Sequence, residues 1–485
     1  MSDVLRGPVS GVLRGVSSWQ AEADVVVVGL GCAGACAALA AAACGARVLL
    51  LERSSAGGGT SALSGGLVYL GGGTPVQKAC GFEDDPENMA RYLLAACGPA
   101  PDEAKIRHYA EHSVEHFHWL SSCDVPFRAS FHPGTGIEPP TDDGLIFSGS
   151  ENAYPFCEIA RPAPRGHCPA RPGAAGGLLM ERLIARIAVA PEVRVESDAR
   201  AEALVVAEDG RIVGAAVRRA GETFCVRARR GLVLAAGGFI QNRAMVARHA
   251  PALLRCKIRI GCEGDDGSGI LLGMAAGGAA MRLDAGSISL PFYPPEGLKR
   301  GILVNGAGQR FINEDAYYGR VGEQALLRQD GRAFLIVDEA VHERPMAGME
   351  VAAVGESAQE LEHELGLPAG SLQATLRLYN EHASRGEDPL FHKRGAYLKP
   401  LVDMPLGALD CTVDHAIYAA FTLGGLHTDL DGRVLDAADR PVPGLFAAGR
   451  TTSGLAAQGY SSGLSLADGS YFGRRAGAAA AAEVV

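Results

Sequence analysis

Residues 24–53, DVVVVGLGCAGACAALAAAACGARVLLLER, constrain this chain more than any other stretch. Four consecutive valines at 25–28 predict a short, fully buried strand. Gly29, Gly31 and Gly34 come next as G-x-G-x-x-G before an alanine-rich helix. A second apolar strand then ends in Glu52, about twenty residues beyond the glycines. Together these make a complete βαβ unit. Gly29 permits the tight turn, Gly31 lets a pyrophosphate approach the backbone, and Gly34 lets the helix pack closely on the strand. The helix N-terminus stabilises phosphate charge, and Glu52 accepts hydrogen bonds from a ribose. The expected ligand is a dinucleotide.

The loop after Glu52 selects between FAD and NAD. Residues 57–66, GGGTSALSGG, form a second glycine- and hydroxyl-rich loop whose backbone N–H groups and Thr60, Ser61 and Ser64 are placed to contact a pyrophosphate and ribityl chain. A nicotinamide enzyme has no need of this loop. Near the C-terminus, GLFAAGR (444–450) reads as an apolar strand running into Gly449. FAD is therefore favoured. The candidate cofactor contacts are Gly29, Gly31, Cys32, Ala33, Gly34, Glu52, Arg53, Thr60, Ser61, Ser64, Gly65, Gly66, Gly237, Gly449 and Arg450, with Ser465 and Leu466 at the start of the last helix.

Composition narrows the class of partner. The formal charge of −10 and the lack of a basic cluster argue against nucleic acid and anionic membrane and favour a small molecule. The 12 cysteines are scattered, without CxxC or paired Cys/His spacing, so they read as reduced thiols, and no metal site is expected. Arg6 and Arg14 interrupt the N-terminal twenty residues, and no apolar run reaches membrane-spanning length. The expectation is a cytoplasmic enzyme without a signal peptide or integral membrane segment.

The expected architecture is α/β: a Rossmann-like FAD-binding domain of the glutathione-reductase type with an antiparallel meander, plus an inserted α+β substrate or capping domain. The FAD-binding domain occupies 1–282 and 401–485, and the inserted domain 283–400. Two helices are predicted between 84 and 123, one opened by Asp85 with Pro86 at its first position. Residues 125–177, rich in Pro and Gly, read as an extended excursion, and 176–188 as an amphipathic helix. EALVVAEDGRIVGAAVRR forms a hairpin turned at Asp209-Gly210, and the next strand ends in GLVLAAGGF. Helices are expected around 320–328 and 371–384, and the alanine-rich 476–482 reads as a frayed helix end.

Ser462-Gly463-Leu464-Ser465 opens the last helix. Tyr460 and Ser462, just ahead of it, are candidate substrate contacts, although N-cap chemistry accounts for one hydroxyl equally well. In GQRFINEDAYYGR (308–320), Tyr317 and Tyr318 are adjacent. If the segment is extended they point opposite ways and only one faces the flavin.

The meander returning to Gly237-Gly238 resembles the flavin-domain insertion of the fumarate reductase superfamily. The NED-Tyr-Tyr stretch resembles the segment that places the catalytic acid in fumarate reductases, with tyrosine where those have arginine. Tyr317 together with the Tyr-x-Ser of GYSSG resembles the active site of the bacterial 3-ketosteroid Δ4-(5α)-dehydrogenases, over about residues 20 to 475. The related Δ1-dehydrogenases are longer and carry a glycine-proline-rich segment after the C-terminal tyrosine, from which YSSGLS departs. Membrane succinate dehydrogenases tether FAD through a histidine where this chain has Ala62 and Leu63, which implies noncovalent FAD.

The resemblance implies desaturation of C4–C5 of a 3-oxo-5α-steroid, with hydride to flavin N5, Tyr460 donating to the C3 oxygen, and Tyr317 as base sharing its proton with Ser462. The two tyrosines can exchange these roles. As base, Tyr317 needs its phenolate favoured by a neighbouring donor. Competing readings are a fumarate- or urocanate-like reductase of an unsaturated carboxylate, a Δ1-dehydrogenase, and a flavin-binding sensor without turnover. The carboxylate reading requires an arginine beside the flavin, with Arg310, Arg320 and Arg450 as candidates; His427 is a further candidate flavin contact. GAG at 306–308 lacks a following helix, so no second dinucleotide site is evident and the electron acceptor stays unidentified.

Overall fold

The structure, a computed structural model, describes residues 11–16, 18–135, 138–345 and 348–484. Arg6 lies outside the described residues. Strand Ala21–Val28 leads through the glycine turn into helix Cys32–Ala43, and strand Val48–Leu51 pairs parallel to the first. Val26 and Val28 enter one core cluster while Val25 and Val27 enter another. The strand is thus buried on both faces, which is why it reads as a continuous apolar run.

Among the described residues this unit belongs to a nine-stranded sheet. Its long strand Glu222–Leu234 pairs antiparallel with Ile212–Arg219 along its first half. Its second half lies parallel to both Ala21–Val28 and Pro441–Ala447. The chain therefore returns, about 400 residues later, to a strand that neighbours the dinucleotide turn. The predicted hairpin is present, with Arg200–Val206 antiparallel to Ile212–Arg219.

Residues 125–177 carry more regular structure than an extended excursion. Phe131–Thr135, Leu145–Phe147 and Gly166–His167 form a small sheet with Val68–Tyr69. These strands are too short and too interrupted by Pro and Gly to show a period, so their pairing is supplied by tertiary contacts. A second sheet joins Ile302–Asn305, Ala333–Asp338, Leu406–Asp410 and Val351–Gly355, all antiparallel, and so reaches Asp410, beyond residue 400. Helices Tyr318–Arg328 and Ser371–Ala383 accompany it.

The C-terminal alanines are not a frayed end. Helix Leu464–Ala482 continues through them with Ala476, Gly477, Ala480 and Ala481 buried. The helix crosses Cys32–Ala43 at backbone contact: a Cβ on Gly473 would lie 2.4 Å from the Ala33 carbonyl oxygen, and one on Gly477 2.0 Å from that of Ala37. Small residues on both partners make this approach possible, so the tail is alanine-rich because it is packed. Gly477→Ala should cost about 1–3 kcal/mol despite alanine's higher helix propensity, because the obstacle is backbone rather than a movable side chain. Thermal unfolding checks this, and a Tm at or above the parental value would contradict so close a crossing.

Candidate active site

The three motif glycines have different reasons to be glycine. Gly29 has φ 104°, and a Cβ there would lie 2.4 Å from the Ala235 carbonyl oxygen. At Gly34 a Cβ would come within 1.8 Å of the Gly29 carbonyl oxygen. Both are demanded by the fold. Gly31 is not: a Cβ there would meet only Ser61 Oγ, at 3.6 Å. What it would fill is the cavity at the N-terminus of helix Cys32–Ala43, the surface a phosphate approaches.

That cavity, about 360 Å³ in volume, is lined by every candidate cofactor contact except Gly34 and His427, and by Tyr317, Tyr318, Tyr460 and Ser462 as well. Gly34 instead packs helix on strand. Glu52, at the end of its strand, accepts the Leu30 and Ser54 N–H groups at 2.8 Å each. These two bonds hold its carboxylate at the cavity wall. The hydroxyl-rich stretch is a short helix, Gly59–Leu63, rather than a loop, and its side chains are partly engaged by the protein. Thr60 donates to Asp265 (2.7 Å) and Ser61 accepts the Cys32 N–H (3.1 Å). Asp265, which also pairs with Arg450 at 2.6 Å, is a cavity residue that sequence reasoning missed. Its signal was the acid-glycine cluster GDDGSG at 264–269. Glu138, from the Pro/Gly-rich stretch, also lines the cavity and belongs to no motif that would have pointed to it.

The two adjacent tyrosines do not point opposite ways. Tyr317 is the N-cap of helix Tyr318–Arg328 and Tyr318 its first residue, so the local geometry is a helix start rather than a strand. Their rings lie 4.4 Å apart. Both hydroxyls reach one serine: Tyr317 Oη lies 2.9 Å and Tyr318 Oη 3.3 Å from Ser462 Oγ. Ser462 is free to do this because the cap of the last helix is Gly463, at φ 97°, with no side-chain capping bond. Tyr460 Oη accepts the Ser465 N–H at 3.2 Å, which leaves its own O–H to donate, and its ring meets Phe421 edge-on.

Burial sets the protonation of all three phenols. It drives Tyr317 well above its ordinary value, reinforced by Tyr318 and Tyr460 and opposed by the Ser462 hydrogen bond. Tyr318 is pushed up to about 12, chiefly by burial and then by Glu138. Tyr460 is raised by burial, with Ser465 and Arg450 acting the other way. The Ser462 hydroxyl favours the Tyr317 phenolate as expected, but loss of solvent outweighs this one donor and the net shift is upward.

The arginines lining the cavity among the described residues are Arg53, Arg200 and Arg450, and each is paired with Asp265 or Asp266. Arg310 is buried elsewhere between Glu314 and Asp388, and Arg320 lies over the Phe156 ring. His427 faces Asp439, away from the cavity lining.

The FAD binding domain family matches residues 24–465. The chain belongs to this FAD-binding family. It is 31% identical to the 3-oxo-5-alpha-steroid 4-dehydrogenase of Comamonas testosteroni, over 89% of this chain and 93% of that protein. The solved 3-ketosteroid-delta4-(5alpha)-dehydrogenase of Rhodococcus jostii RHA1, in complex with 4-androstene-3,17-dione, superposes with a TM-score of 0.92 at 48% identity, covering 96% of this chain and 98% of that one. A flavocytochrome c3 fumarate reductase in an open conformation is similar at a TM-score of 0.67 and 26% identity, over 96% of this chain and 79% of that one. The fold is thus the mixed α/β FAD-binding fold of the fumarate reductase and succinate dehydrogenase flavoproteins, and the cofactor of this member is FAD.

The residues present fit that cofactor. Gly31 keeps a phosphate-sized approach open, helix Cys32–Ala43 turns its N-terminus to it, and Glu52 stands at the ribose distance in sequence. Gly31→Ala should leave Tm near parental, since its φ of −88° suits alanine, while the fraction of protein carrying FAD falls by about tenfold or more. The absorbance ratio of flavin to protein measures this. Full FAD occupancy in that variant would remove the cavity's assignment to the pyrophosphate.

Proposed function

We propose that the protein is an FAD-dependent dehydrogenase that desaturates C4–C5 of a 3-oxo-5α-steroid, giving the 4-ene-3-oxosteroid. The observation that carries this reading is the convergence of Tyr317, Tyr318, Tyr460 and Ser462 on the dinucleotide cavity, with the lining arginines already ion-paired. The similarity to the two steroid dehydrogenases supports it. A carboxylate substrate would call for an unpaired guanidinium; a steroid ketone calls for a neutral donor.

Bound FAD supplies the acceptor for the C5 hydride. Tyr460, its oxygen held by the Ser465 N–H, donates its hydroxyl hydrogen to the C3 oxygen and stabilises the developing enolate. Tyr317 takes the C4 proton and shares it with Ser462. Tyr318, on the same serine, extends this hydroxyl chain. Partial exclusion of water, with Tyr317 buried and Tyr318, Tyr460 and Ser462 half-buried, strengthens each interaction. Within this reading, the segment from residue 283 to 400 together with the strand up to Asp410 forms the substrate-covering unit, and the glutathione-reductase type describes the FAD-binding part. Ala62 and Leu63 offer no tethering histidine, so FAD is held noncovalently. Reoxidation falls to an acceptor outside the chain. All twelve cysteines are free, which supports a cytoplasmic setting, and no helix among the described residues is long and apolar enough to cross a membrane.

A 5α-androstane-3,17-dione should bleach the flavin anaerobically without added reductant, and fumarate should not reoxidise it. Tyr317→Phe, Tyr460→Phe and Ser462→Ala should each lower the rate of bleaching by about 10²–10⁴-fold at unchanged FAD occupancy. Near-parental rates in all three would place the chemistry elsewhere.

The pH dependence comes from the raised phenols. Only deprotonated Tyr317 accepts a proton, and its folded value lies well above the ordinary phenol, so the active fraction grows about tenfold per pH unit below that value. The rate of flavin reduction should rise with pH throughout the range in which the protein stays folded. A plateau beginning near neutrality would contradict Tyr317 as the base.

A further inference from the structure

Tyr317 and Ser462, residues 145 apart, both donate their backbone N–H groups to a third segment that carries no motif. Ser462 N–H donates to the Ser148 carbonyl (3.0 Å), and Tyr317 N–H donates to Ser150 Oγ (3.0 Å). One turn therefore grips both residues. The turn is itself anchored from behind: Ser150 N–H donates to Tyr92 Oη (2.9 Å), which shares a second hydrogen bond with Ser461 Oγ (2.9 Å). A Cβ on Gly149 would lie 2.4 Å from both of those oxygens, so the turn is seated directly against them.

Glu151 closes the turn. Its Oε2 accepts the Gly149 N–H at 2.8 Å, and the residue is 1% exposed. Its other oxygen, Oε1, is buried with Tyr69 Oη and Arg165 Nη1, and none of these three atoms has a partner of ordinary hydrogen-bond geometry among the described residues. These three groups interact electrostatically, and Tyr92 also feels the carboxylate. The rest of the Arg165 guanidinium is fixed by two bonds to Asp84, at 2.9 and 2.8 Å. Burial raises the Glu151 carboxyl, with Arg165 opposing.

We propose that Glu151 is a positioning residue for the reaction, acting through the Ser148–Glu151 turn to hold Tyr317 and Ser462 at hydrogen-bonding distance. The proposal rests on the reading that these two hydroxyls act on substrate. Loss of the Gly149 bond loosens the turn, and both grips loosen with it. A displacement of about 1 Å between reacting groups costs on the order of a hundredfold in rate. Steroid binding, which depends on the cavity walls, is left alone.

The test compares Glu151→Ala with Glu151→Gln in the FAD-loaded protein. In Glu151→Ala, kcat should fall by about ten- to a hundredfold, with KM for the steroid, product affinity, FAD occupancy and Tm near parental. Glu151→Gln, whose amide oxygen still accepts the Gly149 N–H, should restore kcat to within about threefold. A crystal structure of the alanine variant should show Tyr317 Oη and Ser462 Oγ drawn apart. Parental kcat in Glu151→Ala, or a joint loss of kcat, KM and FAD binding that glutamine fails to rescue, overturns the proposal. If Glu151→Ala does not fold, Ser150→Ala decides: it removes only the acceptor for the Tyr317 N–H and should lower kcat alone, and parental kcat there overturns the proposal equally. Tyr317→Phe separates the two readings. An active Tyr317→Phe removes the site assignment itself, whereas an inactive one beside parental Glu151 and Ser150 variants removes only this inference.

Discussion

The site depends on backbone contact between the first and last helices. Gly473 and Gly477 face the Ala33 and Ala37 carbonyls, and Gly449 and Gly469 lie against the Ala33 side chain. Larger residues at these positions would hold the helix axes at the usual separation of about 8–10 Å. Brought closer, the N-terminus of Cys32–Ala43 and the segment preceding Leu464–Ala482 open onto one cavity. The glycine turn at residues 29–34 and the hydroxyls of Tyr460 and Ser462 are thus neighbours because alanine and glycine occupy both sides of one crossing. The parallel pairing of Pro441–Ala447 beside Glu222–Leu234 fixes the same neighbourhood from within the sheet.

Within that cavity the groups offered beside the dinucleotide turn are hydroxyls rather than unpaired cations. Three phenols are raised by burial, and the arginines that line the wall among the described residues are each ion-paired with Asp265 or Asp266. An environment of this kind favours an uncharged substrate with a ketone, since a buried carboxylate without an unpaired cation would carry an uncompensated desolvation cost. The relation to fumarate reductases therefore lies in the fold and the cofactor. In the proposed reading proton transfer runs through the Tyr317 and Ser462 hydroxyls, whose backbone N–H groups both bond to the turn that follows strand Leu145–Phe147.

Much of this is legible in the sequence where local rules suffice. The dinucleotide turn, the hairpin at Asp209-Gly210, and the helices opened by Asp85 and spanning 176–188 arise from capping, turn chemistry and hydrophobic period. The pair Tyr317 and Ser462 is legible as well, because their surrounding pattern resembles a known active site. Three segments depart from their local pattern. Alanines 476–482 look like a fraying end because alanine carries no amphipathic signal; their role is visible only from the helix they touch. Tyr317 and Tyr318 look extended because nothing in NEDAYYGR announces a helix cap, and Tyr317 caps without a side-chain bond. Residues 125–177 look irregular because two- to five-residue strands have no period to read.

The sequence alone determined the βαβ unit, the preference for a flavin dinucleotide and the identity of the hydroxyl-bearing residues, because these depend on spacing along the chain. Only the tertiary structure decided that both tyrosines share one serine, that the arginines are already paired, that burial raises the phenols, and that one motif-free turn accepts hydrogen bonds from the backbone of both Tyr317 and Ser462. The physical reason is common to all four. Ion pairing, desolvation and the aim of a side chain arise between segments separated by tens to hundreds of residues, and no local pattern encodes which of them will meet.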